Sequence, residues 1–250
     1  MTNSTKTIRW DGNQIKTIRI YPTLPSTNSF AKGLIVQGCP SGAVIWALHQ
    51  TAGRGRRGRS WDADQSSLTF SVLWASPEGF PCGILPLTVG LGLVTTLRSL
   101  VPELQVKWPN DLWFGDRKLG GILGETVQQK GVQWLIIGVG LNVNTPRSPI
   151  GGEPISLQEI TNCAWSRLGI LDLALSGVEL GFALAEENAH ELSYLFRKYG
   201  NFLDRTITII QGEERWPAVA KEVLADGRLL VEDAQGERAL LPDEISVRFS

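Results

Sequence analysis

The chain has 250 residues, 42% hydrophobic and 20% charged, and Lys+Arg 24 against Asp+Glu 25 leave a net charge of -1. Those values fit one large core, or a main domain with a small one, and exclude fibrous and disordered classes and any global attraction to nucleic acid or anionic membrane. Three cysteines in no C-x-x-C pair (Cys39, Cys82 and Cys163) and only two histidines, His49 and His190, argue against a disulfide framework and a thiolate or histidine metal centre.

The opening MTNSTKTIRWDGN holds no apolar signal core, and no stretch reaches the ~18 uninterrupted apolar residues of a membrane span, so no membrane partner and a cytoplasmic location are the expectations. A strand is predicted at Thr17 to Tyr21, then a helix at Thr27 to Gln37 behind Ser26. Strands at Ala43 to His49 and Ser67 to Trp74 flank the segment His49 to Trp61. A helix over Gly83 to Leu100 precedes strands at Leu104 to Trp108, Lys118 to Val127 and Gln133 to Asn142, with turn signals at Gly115-Asp116 and Gln128 to Gly131. Ser156 with Glu159 three residues on is a capping box for a short helix, and a long helix is predicted over Leu171 to Tyr199, stopped by Gly200-Asn201. Beyond that only short β-runs follow: TITII, WPAVAKEVL, RLLVED, RALL and EISVRF. Two domains are therefore expected, residues 1–201 as an α+β unit of mixed sheet with helices packed on one face, and residues 202–250 as a barrel of about five strands. A sheet edge could pair two chains into a homodimer.

Four arginines fall within six residues in Gly53-Arg54-Gly55-Arg56-Arg57-Gly58-Arg59, an anion cradle by composition. Gly53, Gly55 and Gly58 satisfy G-x-G-x-x-G, but the dinucleotide and P-loop motifs need a helix opening after the glycines, and a β-run follows instead. A flexible strand-to-strand loop remains, and from this segment alone a solvated basic loop or a nucleic-acid contact stays open. Lys107-Trp108-Pro109-Asn110-Asp111 packs a cation, an aromatic, an amide and a carboxylate around one turn. Gly120, Gly121 and Gly124 lie within one strand, each costing roughly 0.5–1 kcal/mol relative to Ala, which points to close approach by a ligand or another backbone. Gly138 to Asn144 repeats the habit with the amides of Asn142 and Asn144.

Gln50 to Trp61, Lys107 to Asp111, Lys118-Leu-Gly-Gly-Ile-Leu123, Gly138 to Val143 and Ser26-Thr27-Asn28 together resemble the biotin protein ligases, in the same order and at similar spacing, over about residues 15 to 200. The resemblance implies a class II synthetase-like catalytic fold with an SH3-like C-terminal barrel. It also implies activation of biotin with MgATP to biotinyl-5′-AMP, then transfer to a lysine of a biotin carboxyl carrier protein. Lys118 would meet the biotin carboxylate, with Lys107, Arg54, Arg56 and Arg57 as further cations and the Gly53 to Gly58 loop closing over the intermediate. Thr27, Asn28 and Gln50 would hold the ureido end, Gly121 and Gly138 would let the ring lie against backbone, and Ser26 and Asn142 would belong to the binding set. Trp61 would shield the adenine or the loop, while Asn110 would orient magnesium and Asp111 the incoming lysine. Only 25 residues precede Ser26, too few for the DNA-binding domain some members carry, so no DNA binding is expected. Leu241 to Val247 departs from the Gly-Glu-Val turn common in the family. The related lipoate ligases show an Arg-Arg-x-Ser-Gly-Gly-Gly segment that this sequence lacks.

Overall fold

A computed structural model describes residues 6–62, 65–144, 154–187, 189–200, 202–242 and 245–249. Eight strands build the main sheet: β1 (Lys6–Arg9), β2 (Thr17–Tyr21), β3 (Ala43–Ala47), β4 (Leu68–Ala75), β5 (Gln105–Lys107), β6 (Asp111–Phe114), β7 (Arg117–Gln129) and β8 (Val132–Leu141). Their spatial order is β1-β2-β3-β4-β8-β7-β6-β5. Strands β2 and β3 run parallel and every other pair is antiparallel, so the sheet is mixed, as expected. β6 is an element the sequence reading left inside a turn.

This order fixes where a site can form. β2 and β3 finish at one end of the sheet, β4 starts there, and Leu68 pairs Leu141, so β8 finishes there too. Gly120 in turn pairs Leu141, which brings the start of β7 to the same end. The connections after β2 and β3 and the start of β7 are thereby gathered from segments a hundred residues apart. At the opposite end β7 and β8 are joined by a two-residue turn, with Lys130 at φ 50 and Gly131 at φ 79.

Five helices accompany the sheet: α1 (Thr27–Val36), α2 (Leu85–Leu97), α3 (Leu157–Thr161), α4 (Arg167–Glu187) and α5 (Leu192–Tyr199). All five residues of β3 are buried, because alternate side chains face different layers. Val44 and Trp46 join the large core with α2 and α4, whereas Ala43, Ile45 and Ala47 pack with Ala31 and Ile35 of α1. One-face packing therefore describes α2, α4 and α5; α1 lies across the other face. The expected long helix is two, since α4 ends at Glu187 and a 3-10 turn at Ala189–Glu191 precedes α5. Glu186, Glu187, His190 and Glu191 are exposed, so no apolar stripe holds that stretch to the core.

Helix α4 is long and apolar enough to cross a membrane by length and composition, and half of that stretch is buried. It meets α2 backbone to backbone: a Cβ on Gly92 would stand 2.0 Å from the Gly177 oxygen, and one on Gly181 2.5 Å from Val89 Cα. Its Asp172 accepts from Trp10 Nε1 at 2.9 Å, and its Glu179 from the backbone N–H of Ile15 at 2.6 Å, which clips the N-terminal hairpin to the helix.

The second sheet holds β9 (Thr206–Gln211), β10 (Glu214–Val223), β11 (Leu229–Asp233), β12 (Gly236–Leu240) and β13 (Ser246–Phe249) in the order β12-β11-β10-β9-β13, all antiparallel. These are the five β-runs of the C-terminal sequence. Asn201, where the sequence divides the chain, and Asp243 and Glu244 of the divergent C-terminal segment lie outside the described residues. The buried Trp108 donates from Nε1 to the Gly227 oxygen at 3.0 Å and ties this sheet to the main one.

Candidate active site

At that end of the sheet lies a pocket of about 270 Å³, whose walls include Ser26, Thr27, Asn28, Gln50, Arg54, Gly55, Arg56, Trp61, Asn110, Asp111, Lys118, Gly121 and Gly138. Its closed end is uncharged and polar. Ser26 has an extended backbone and caps α1, its hydroxyl accepting from Ser29 N–H, and this brings the next two side chains into the wall. The Thr27 N–H donates to Gln50 Oε1 at 2.7 Å. Ser71 of β4 places its Oγ 2.7 Å from Thr27 Oγ1 and 2.6 Å from Asn28 Oδ1. Asn28 in turn donates from Nδ2 to Glu125 Oε2 at 2.8 Å.

The Arg-Gly segment is a narrow hairpin with a single 3-10 turn at Arg56–Gly58, and the next strand is β4, so among the described residues no helix opens between them. Arg54 bridges Ser60, Gly55 N–H reaches the Arg59 oxygen at 2.7 Å, and Trp61 N–H reaches the Gly53 oxygen at 3.0 Å. Gly53 belongs to this closure: a Cβ there would stand 2.3 Å from the Trp61 oxygen. Arg57 adopts φ 56 and Gly58 φ 70 at the exposed tip, and neither faces the pocket.

Opposite the hairpin, Lys118 Nζ lies 2.6 Å from Asp111 Oδ1 and 5.7 Å from the Trp61 ring centre. A bulge puts it there. Leu112 pairs Gly120 and Trp113 pairs Lys118, so Leu119 is an extra residue in β7. Three residues apart in a regular strand, Lys118 and Gly121 would face opposite sides; the extra one returns them to the same side. A Cβ on Gly121 would accordingly meet Lys118 Nζ at 3.3 Å and Asp111 Oδ1 at 3.2 Å.

Several assignments change. Gly138 gives its clearance to Asn28, whose Oδ1 would lie 2.3 Å from a Cβ there, and Gly140 does the same for the Trp61 indole at 2.5 Å. These glycines seat pocket side chains in the first instance. Lys107 is buried with Nζ 3.7 Å from the Trp113 ring centre and does not line the pocket. Asn142 is buried behind the wall, donating to the Ile155 oxygen at 3.2 Å. Asn110 gives Nδ2 to the Ile122 oxygen at 2.7 Å and accepts from Arg56 Nη1 at 3.0 Å, so its amide oxygen meets a guanidinium rather than a metal ion. Among the described residues no cluster of three His, Cys, Asp or Glu could hold a metal. Arg56 also donates to the Pro242 oxygen, which brings the second sheet to the pocket rim.

The sequence reading missed Ser71 and Glu125. Thr69 and Ser71 are the polar residues of one strand face in the otherwise apolar run of β4, a period-2 signal that was available. Burial pushes the Glu125 carboxyl up in pKa, but hydrogen bonds from Lys32, Asn28 and Arg54 outweigh it and hold the group below the usual carboxylate range. The whole arrangement can take a small molecule with an uncharged polar head at the closed end and an anionic group between Lys118 and the arginines.

The Biotin/lipoate A/B protein ligase family matches residues 20–142. The bifunctional ligase/repressor BirA of Escherichia coli (strain K12) is 31% identical over 240 residues, covering 92% of this chain and 74% of that protein. The biotin–acetyl-CoA-carboxylase ligase of Mycobacterium tuberculosis is 29% identical over 199 residues, covering 76% of this chain and 73% of that protein. Biotin protein ligase from Aquifex aeolicus in complex with biotin and ATP has a TM-score of 0.79 at 27% identity, covering 93% of this chain and 99% of that one.

Proposed function

The chain belongs to the biotin/lipoate A/B protein ligase family, and from that premise we propose how this pocket serves a biotin protein ligase. The enzyme activates biotin with ATP to biotinyl-5′-AMP and transfers the acyl group to a protein. In our reading the closed end, Thr27, Asn28, Gln50 and Ser71, takes the ureido group, whose N–H and C=O need partners of both kinds. The carboxylate then lies at Lys118, where its oxygen attacks the α-phosphorus and the bond to pyrophosphate breaks. Two anions meet in that step, and Lys118 with Arg54 and Arg56 offsets their repulsion.

In transfer the acceptor lysine amine attacks the acyl carbon, AMP leaves, and the amine loses a proton. Asp111, the only carboxylate among the described residues lining the pocket, is assigned to orient that amine and receive the proton. The acceptor is proposed to be a biotin carboxyl carrier protein in the cytoplasm. Magnesium would arrive with ATP and screen the charge of its triphosphate.

The observation that carries this reading is the pairing, in one pocket, of the Thr27–Asn28–Ser71 end with the Lys118–Asp111 rim. Purified protein given biotin, MgATP and an apo carrier domain should release pyrophosphate and label the carrier on a streptavidin blot. Pyrophosphate release with lipoate in place of biotin would overturn the substrate assignment.

A further inference from the structure

Glu125 lies on β7 outside the biotin-pocket lining, facing a neighbouring cavity of about 430 Å³, and the mechanism above does not use it. Three donors converge on its carboxylate: Asn28 Nδ2 at 2.8 Å, Lys32 Nζ at 2.7 Å and Arg54 Nη2 at 2.7 Å. Asn28 and Lys32 are one turn apart on α1, so a single helix face and the Arg-Gly hairpin meet on one side chain. Stability is not the reason for such a cluster. Lys32 and Arg54 side chains remain 42% and 43% exposed, and ion pairs that open to water contribute little.

Orientation is the better account. An ionised carboxylate only accepts, so Asn28 must turn its NH₂ toward Glu125 and its oxygen toward Ser71, which also touches Thr27. The same carboxylate holds one guanidinium nitrogen of Arg54 and thereby fixes where the hairpin rests. Resting on the biotin ligase reading, we propose that Glu125 is a positioning residue that sets both the Asn28 amide at the closed end and the Arg54 hairpin at the rim, so that filling the pocket and seating the hairpin are coupled.

Glu125→Gln tests this at nearly constant shape, because an amide offers one acceptor oxygen and turns an NH₂ toward the other donors. Its thermal midpoint should stay within a few degrees of the native one, and Glu125→Ala serves as a second variant. Without ligand, trypsin should cut at residues 54–59 about fivefold faster, as expected when a tether worth one or two hydrogen bonds is lost. Biotin affinity by calorimetry should fall about tenfold, and combining Glu125→Gln with Asn28→Ala should weaken it by less than the product of the single effects. Native hairpin cleavage together with native biotin affinity in both variants would overturn the proposal, as would strictly multiplicative effects with Asn28→Ala. Native protein that binds no biotin would count against the ligase reading, and the cleavage comparison would still decide the role of Glu125.

Discussion

At Lys118 a single ammonium stands where two anions must meet, 2.6 Å from Asp111 and beside a glycine that leaves it room. Lys118→Ala should lower biotin-dependent pyrophosphate release by about 10² or more, the cost typical of removing one preorganised charge-stabilising donor; rates within tenfold of native would mean the charge is supplied elsewhere. Gly138 makes a complementary case. Its added methyl would stand 2.3 Å from Asn28 Oδ1, so Gly138→Ala should displace that amide and weaken biotin binding about tenfold by calorimetry, as overpacking costs ~1–3 kcal/mol. Much of the residue-level site was legible, because Ser26 to Asn28, Gln50, Arg54, Arg56, Trp61, Asp111 and Lys118 sit in dense local motifs whose chemistry has few other uses. Lys107 shows the limit. Charge can be counted in a sequence, but whether a lysine faces a pocket or folds over an indole depends on strand facing, here on Trp113 across the hairpin.

Elements were legible where a period was strong. The sequence reads Lys118 to Val127 as one run and β7 spans thirteen residues, yet the pairing shift at Leu119 leaves no mark in hydrophobicity, since Leu119 and Gly120 are both buried. That shift decides which face Lys118 occupies. Inserting an alanine between Leu112 and Trp113 would give Leu119 a partner, make the ladder regular and turn the Lys118 ammonium to the face opposite Gly121, reducing pyrophosphate release by about 10² while far-UV circular dichroism still reports the sheet. Retained activity would show that Lys118 reaches the pocket whichever way the ladder pairs. The split of the expected long helix has a similar origin: helix propensity runs on through Glu186 and Glu187, but burial stops there.

The two sheets of the whole molecule share one apolar core, in which Ile207, Ile209 and Leu229 join the residues of α2 and α4, and particular polar groups pin them together. Trp108 reaches Gly227 and Arg56 reaches Pro242, so the C-terminal sheet touches both the core and the pocket rim. Trp108→Phe leaves the buried Gly227 oxygen without that donor and should cost ~1–3 kcal/mol, read as a lower thermal midpoint, with the 54–59 hairpin cut faster by trypsin. An unchanged midpoint would mean the sheets are held by apolar packing alone. No composition shift at residue 201 could reveal these links, because each joins one side chain to a distant carbonyl. The Lys130-Gly131 turn stands at the other extreme of the molecule, eight residues of extended strand and thus about 25 Å from Gly121. That tip is a natural graft point: a tether or reporter spliced into it would hang from the enzyme like a handle, leaving the chemistry at the far rim undisturbed.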